Sequence, residues 1–348
     1  MAAYISFQPK DYFNTILYTG DDGASQAQTG VGFSADLTWI KDRDSTEEHV
    51  WTDTVRGATY WIRSNAENGS AALATGLLSW ESDGFTVGNN GVVGTTDDYV
   101  AWNWKMGTTS GIATNGSTTI TPTDYTFDQT TRSSIVKYTG NLTAGAKVAH
   151  GLGTTPDLII IKDLNSTTTW IVYQSAISES GTKYLNFNET DSIQTNTNRF
   201  NDTAPDDVNF TLGTTTYVNG SGDPYIAYCF ARKRGFSAFS SYIGNDNADG
   251  PMIYTGFRPG FVMIKRYDST GAWQVWDNKR PGYNATTGRL YPNGTDAESN
   301  TQQLDILSNG FKYRNTGAAA NASGGNYIYA AFSAYPLISS NDVPGTAK

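Results

Sequence analysis

The sequence predicts an all-β protein made of three tandem related antiparallel β-sandwich domains, and three observations predict it. Its 348 residues include 36 Gly and 21 Tyr with abundant Thr, Ser and Asn, while only 16% are charged, so turn and strand formers outnumber helix formers. A pattern of five landmarks occurs three times along the chain. Inside each copy, short apolar runs are separated by turn signals at the spacing of ~8 to 12 residues that antiparallel sandwiches use, with a barrel as the alternative.

Each copy opens with a tyrosine two residues before a glycine: Tyr18 and Gly20, Tyr138 and Gly140, Tyr242 and Gly244. An Ile-Lys pair follows, its lysine 23, 24 and 23 residues after the tyrosine, at Lys41, Lys162 and Lys265. The apolar runs Leu37 to Ile40, Leu158 to Ile161 and Phe261 to Ile264 that lead into it read as buried strands. Turn-rich segments starting at Asp42, Asp163 and Tyr267 come next, and then a return strand whose aromatic landmark is assigned to Trp51, Tyr173 and Trp276. Phe85, Phe210 and Phe311 mark the fourth position, and last strands begin at Tyr99, Tyr225 and Tyr327. With a side-chain period of two, Val100, Trp102 and Trp104 share one face, as do Ile226, Tyr228 and Phe230, and that face is expected to be core.

A repeat of 104 to 120 residues has the size of a domain rather than of a solenoid unit. The boundaries follow as a lead segment over 1–16, repeat 1 over 17–107, a Thr/Ser/Gly-rich linker or surface arm over 108–134, repeat 2 over 135–234, repeat 3 over 235–336 and a tail over 337–348. In the arm, Ile120, Tyr125 and Phe127 are the side chains able to dock on a neighbour. Repeats 2 and 3 are joined directly through Arg232-Lys233-Arg234, read as a solvated junction, and are expected to pack as the more rigid pair.

A net charge of −9 argues against a phosphate-binding surface, hence no nucleic acid, and no run of 18 apolar residues points to membrane insertion. The start shows no basic segment followed by an apolar one, so no secretory signal is expected. Cys229 is the single cysteine and reads as a small strand residue. His49 and His150 occupy no equivalent landmark, so a repeated histidine site is not expected. The pairs Glu47-Glu48, Asp97-Asp98 and Asp206-Asp207 set successive side chains on opposite faces of a strand, the wrong geometry for two-carboxylate hydrolysis outside loops. Asn245 to Gly250 has alternate acidic positions but Gly256 where a calcium loop needs glutamate, and reads as a turn. No catalytic, cofactor-binding or metal-binding residue is assigned and no cofactor is expected; the ligand-binding residues stay open. Aromatics outside the landmarks, namely Tyr60, Trp61, Trp80, Tyr283 and Tyr291, read first as packing residues and second as ligand contacts.

The run Tyr4 to Thr15, the stretch from Gly30-Val31-Gly32-Phe33 to Trp39-Ile40-Lys41, Val55 to Ala58, Ser82 to Gly88 and Tyr99 to Lys105 resemble repeat proteins of phages of marine bacteria and cyanobacteria. Tyr225 to Ala231 and Thr255 to Arg266 extend the resemblance over nearly the whole chain. It implies a virion structural protein, tail-fibre-like or lectin-like, non-enzymatic, made in the host cytoplasm and exposed on the particle. The implied partners are other virion proteins of tail or capsid and a glycan or protein of the host surface, and such appendages are commonly homotrimers. A tail appendage is the expected placement, a capsid decoration the alternative, and an envelope-polysaccharide depolymerase the competing class. Three tandem units also suit a trimer imitated within one chain. Recognition is expected where the three copies disagree.

Overall fold

The computed structural model describes residues 5–335 together with 338, 339 and 343, and it is all-β, 42% strand and 3% helix, with every strand pair antiparallel. Each repeat has a large sheet in which the opening strand pairs with the last strand, the last with the Ile-Lys strand, and that with the return strand. The opening strands are Phe13–Thr19, Ser133–Thr139 and Ser237–Ile243, and the last strands are Asp98–Trp104, Pro224–Phe230 and Asn326–Tyr335. The Ile-Lys strands are Leu37–Asp42, Leu158–Asp163 and Arg258–Arg266, and the return strands Val50–Asp53, Ile171–Gln174 and Gln274–Asp277. A small sheet built around Gly84–Val87, Asn209–Leu212 or Gly310–Tyr313 covers one face of the large one.

The last strand lies inside its sheet with both faces buried, which explains its near-continuous apolar sequence. One face carries Tyr99 and Ala101, Tyr225 and Ala227, or Tyr327 and Tyr329, and packs under the small sheet of its own repeat. The other face carries the Trp102, Tyr228 and Ala330 positions. All three of these faces meet in one central core with Phe13, Trp39, Trp51, Phe230, Phe261 and Phe332. Phe261 of repeat 3 packs edge-on to Trp102 and Trp104 of repeat 1, at ring separations of 5.7 and 5.6 Å. Each repeat is thus two-layered, but the three are not beads on a string: half of every last strand is buried by the other repeats.

The landmarks explain themselves at this level. The opening tyrosines stack on the last-strand tyrosines, Tyr18 on Tyr99, Tyr138 on Tyr225 and Tyr242 on Tyr327, at 5.1, 5.3 and 5.0 Å. Their hydroxyls donate to the carbonyls of Val93, Val218 and Ala320 at 2.7 to 2.8 Å. The glycine two residues on lies against main chain: a Cβ there would fall 1.8, 2.3 and 2.4 Å from the carbonyl oxygens of Thr95, Gly220 and Ala322.

Three expectations change. Trp51 pairs with Trp39 as Val172 pairs with Ile160 and Val275 with Met263, so the counterparts of Trp51 are Val172 and Val275. Tyr173 and Trp276 stand one residue further on and point into the cores of their own repeats, since a slip of one residue reverses the face. The segment 108–134 supplies a strand, Asp124–Asp128, to the edge of the repeat 2 sheet, with Ile120 and Phe127 buried and the loop before Ile120 exposed. Repeats 2 and 3 are joined no more closely than the others, as their seams show below. The lead and tail meet where Ile5–Phe7 pairs with Ile338–Ser339, and Phe7 enters the central core. The rest of the 337–348 tail, apart from Val343, lies outside the described residues.

Candidate functional site

Three seams join the repeats in a closed ring. The N–H of Ser70 donates to the Leu164 carbonyl of repeat 2 at 2.8 Å, that of Ile193 to Tyr267 of repeat 3 at 2.8 Å, and that of Glu298 back to Arg43 of repeat 1 at 2.7 Å. In the opposite direction, the Trp170 indole donates to the Arg63 and Ala66 carbonyls of repeat 1, both at 3.0 Å, and the Trp273 indole to Asn186 of repeat 2 at 2.9 Å. His49 holds the same place in repeat 1. Its Nδ1 accepts from the Trp39 indole at 2.9 Å, and its Nε2 lies against the main chain of Tyr291 in repeat 3 short of full hydrogen-bond geometry. Burial, with Lys41 and Arg280 nearby, holds this imidazole neutral far below its usual pKa. An asparagine fixes each ring residue through its main-chain N–H: Asn65 for His49, Asn188 for Trp170 and Asn293 for Trp273, at 2.8 to 2.9 Å.

The shared lysines belong to the same seams. Lys41, Lys162 and Lys265 are wholly buried, and burial lowers each to about 8. Loop carbonyls satisfy the ammonium groups. Lys162 donates to Thr168 O at 3.0 Å; Lys265 donates to Gly271 and also to Thr190 and Asp191 of repeat 2, between 2.7 and 3.2 Å. Each also feels an acid of the preceding repeat in the ring: Asp296 for Lys41, Glu67 for Lys162 and Asp191 for Lys265. These lysines are structural clamps.

Sequence differences between the seams then decide where a ligand has room. In the first seam, Arg56 is buried with Asp53 at 2.7 Å, reaches Ser70 at 3.4 Å, and the Tyr228 hydroxyl donates to the same carboxylate at 2.7 Å. In the third, Arg280 pairs with Asp277 at 2.7 Å and Glu298 at 2.9 Å, the Trp102 indole donates to Asp277 at 3.0 Å, and Arg43 closes over Glu298 at 2.8 Å. At the second seam the matching residues are Gln174, Ile177, Ile193, Tyr267 and Ala330, and no guanidinium fills the space. A groove of about 390 Å³ opens there, within the range of ~300–1,000 Å³ usual for ligand sites. Ile177, Ile193 and Tyr267 form its apolar floor, while Ser178, Ser180, Thr182, Glu179 and Lys183 line its walls. Burial, and then Asp268, raise the Tyr267 phenol, which stays a neutral donor.

The residues singled out from the sequence lie elsewhere. Trp61 and Trp80 are half-buried against the repeat 1 core, Trp80 donating to Thr38 at 3.1 Å. Tyr60 is exposed, Tyr291 half-buried, and Tyr283 lies at a recess of only about 10 Å³. His150 is buried, accepts from the Leu152 N–H at 3.2 Å and contacts the Asp206 carbonyl at 3.1 Å; burial lowers it to about 4. Burial pushes the Cys229 thiol up. Glu48 pairs with Arg63 at 3.1 Å, and Asp98 accepts from Thr19 at 2.6 Å. Asp206 sits below the usual range because N–H groups of Asn209 and Val208 and the Lys147 ammonium outweigh its burial. The Asn245–Gly250 stretch is a turn in which Asp249 pairs with Lys312 and Arg314. Arg232 of the basic junction pairs with Asp157. Among the described residues no cluster of three or more His, Cys, Asp or Glu is placed to hold a metal, and no helix is long and apolar enough to cross a membrane. Sequence reasoning missed Trp170, Trp273 and the three seam asparagines, whose separations from the ring residue drift through 16, 18 and 20.

No curated protein and no solved structure was found to match the chain. Residues 8–336 match one family over all three repeats and every seam, and the chain therefore belongs to the family described as a domain of unknown function (DUF7483).

Proposed function

We propose that this is a non-enzymatic structural protein of a virion, exposed on the particle as a compact tail appendage that binds the host surface through the groove at the second seam. The carrying observation is where the three copies differ. Their shared features serve the scaffold, while the one seam lacking a buried arginine forms a groove with an aromatic floor and hydroxyl-bearing walls. Such a surface suits a sugar ring, whose apolar face stacks on Tyr267 and whose hydroxyls meet Ser180 and Thr182. The likeness to phage repeat proteins supplies the particle, and the closed ring supports one chain standing where other appendages use three. Other virion proteins are its expected partners.

The test combines placement and binding. Labelled protein added to virions lacking it should decorate the tail, and Tyr267→Ala should lower its retention on host cells at least tenfold at a temperature where its near-ultraviolet dichroism shows it still folded. Labelling of the shell alone would make it a capsid decoration. Release of reducing ends from host polysaccharide, lost on replacing a single Asp or Glu, would make it a depolymerase.

A further inference from the structure

The outer edge of the opening strand occurs three times and is treated differently each time. In repeat 2 the arm strand Asp124–Asp128 pairs along Ser133–Thr139, from Asp124 opposite Lys137 to Asp128 opposite Ser133. Just before it, the N–H groups of Thr119 and Ile120 both donate to the Lys147 carbonyl of the small-sheet edge, at 3.0 and 2.9 Å. The arm delivers two aromatics. Tyr125 packs on the repeat 2 core, and Phe127 lies over Gly151, where an added Cβ would stand 3.0 Å from the ring. Tyr138 is wholly buried as a result, whereas Tyr18 and Tyr242 at the same place in the other repeats are only partly so.

In repeat 1 no strand pairs with the outer side of Phe13–Thr19 among the described residues either, but a side chain takes the place that Phe127 has at the turn. Asn14 Nδ2 donates to the carbonyls of Gly30 and Val31, both at 3.1 Å, and Gly30 is the counterpart of Gly151. In repeat 3 the residue matching Asn14 is Ala238; Lys233 bridges Ser237 at the start of the edge, and beyond it, among the described residues, no strand pairs with the outer side of Ala238–Ile243. That strand carries no charged residue. Within it Ala238 and Tyr242 are half-buried, and Tyr254, 68% exposed, stands beside Gly256, the third counterpart of Gly151. A free edge without charge, proline or cover is a template for strand addition.

We propose that the outer edge of Ala238–Ile243 accepts an extended segment of a partner polypeptide bearing two aromatic residues two positions apart, added antiparallel in the register that Asp124 to Phe127 uses on repeat 2, and ending where Lys233 already bridges Ser237. The chain's own arm dictates this chemistry. Tyr125 faces Val136 and Phe127 faces Ser134, so the partner's aromatics fall opposite Ser240 and Ala238, the second beside Gly256. The residue between them, opposite Phe239, is small and polar, as Thr126 is opposite Ile135. Main-chain bonds supply affinity and the two rings supply selectivity. This site is separate from the groove and does not depend on it.

A synthetic peptide copying residues 121–127, added to the full chain, tests the assignment by amide hydrogen exchange. Exchange of the outward amides within Ala238–Ile243 should slow about tenfold when the peptide is present at about ten times its Kd. A peptide with serine in place of both aromatics should give no protection. Ala238→Lys, which places a charge on the edge, should abolish protection while exchange elsewhere is unchanged, and Tyr254→Thr should weaken it with the edge left intact. Absence of protection at saturating peptide overturns the proposal, as does protection indifferent to the aromatics and to Ala238→Lys. Protection of the same strand in peptide-free protein that grows with protein concentration would also overturn it, in favour of a second copy.

Discussion

At the scale of single residues, the three seams are a natural substitution series at one buried position. Asp53 with Arg56 and Asp277 with Arg280 are ion pairs almost without solvent contact, each completed by a donor from the next repeat in the ring, Tyr228 or Trp102. Gln174, Ile177 and Ala330 show that the fold accepts a largely apolar version. Removing one partner of a buried pair strands the other charge, so Arg56→Met should cost ~3–5 kcal/mol in urea unfolding. The combined exchange Asp53→Gln, Arg56→Ile and Tyr228→Phe, which removes both charges and the hydroxyl while keeping the ring in the core, should cost less than that single change. A second prediction concerns pH. His150 is lowered in the fold to about 4 from its ordinary 6.5, so its burial contributes stability that is fully present above pH 6.5 and is lost as pH falls towards 4. The loss is on the order of 3 kcal/mol. Melting curves of His150→Gln should show a correspondingly flatter decline than the parent between these two pH values, and parallel declines would exclude the histidine as a source.

At the scale of elements, what was legible in the sequence was what a short spacing encodes. The opening tyrosine and its glycine, the Ile-Lys strand, the Phe of the small sheet and the aromatic last strand all hold the same place in the three repeats, because each is fixed within one sheet and its immediate turn. The return strand was misaligned by one residue because Trp51, Tyr173 and Trp276 match in chemistry, while only pairing with the neighbouring strand shows which face each takes. The groove was illegible for a different reason: Tyr267 comes from repeat 3 and Ile177 from repeat 2, and no spacing within a repeat reports a contact between repeats. The glycines test the legible part. In Gly140→Ala the new Cβ would stand 2.3 Å from the Gly220 carbonyl oxygen, and main chain is what would have to move. Overpacking of this kind costs ~1–3 kcal/mol or more, so Gly140→Ala should lower the denaturation midpoint clearly. Gly222→Ala, with open space but a positive φ of 83°, should show only the smaller backbone penalty.

At the scale of the whole molecule, the central core decides whether the repeats are domains. A domain carries its own core and folds alone, yet Trp102, Tyr228 and Phe261 turn towards other repeats, and a fully buried aromatic side chain contributes ~1.5–3 kcal/mol. A repeat cut from the chain would expose one complete face of its large sheet and leave Lys162 or Lys265 without part of its seam. Residues 108–234, repeat 2 with its arm, expressed alone should therefore lack native tyrosine packing by near-ultraviolet dichroism and bind a hydrophobic dye. The full chain should melt in one calorimetric transition whose van't Hoff and calorimetric enthalpies agree. Three resolved transitions, or a natively folded 108–234 fragment, would instead mean that the shared core adds little and that the repeats are independent sandwiches. The distinction reaches the groove, because its floor spans two repeats. In a cooperative molecule a destabilising change in repeat 1, such as Arg56→Met, should open the groove of the second seam only as the whole chain unfolds, whereas independent repeats would leave that groove formed after repeat 1 had melted.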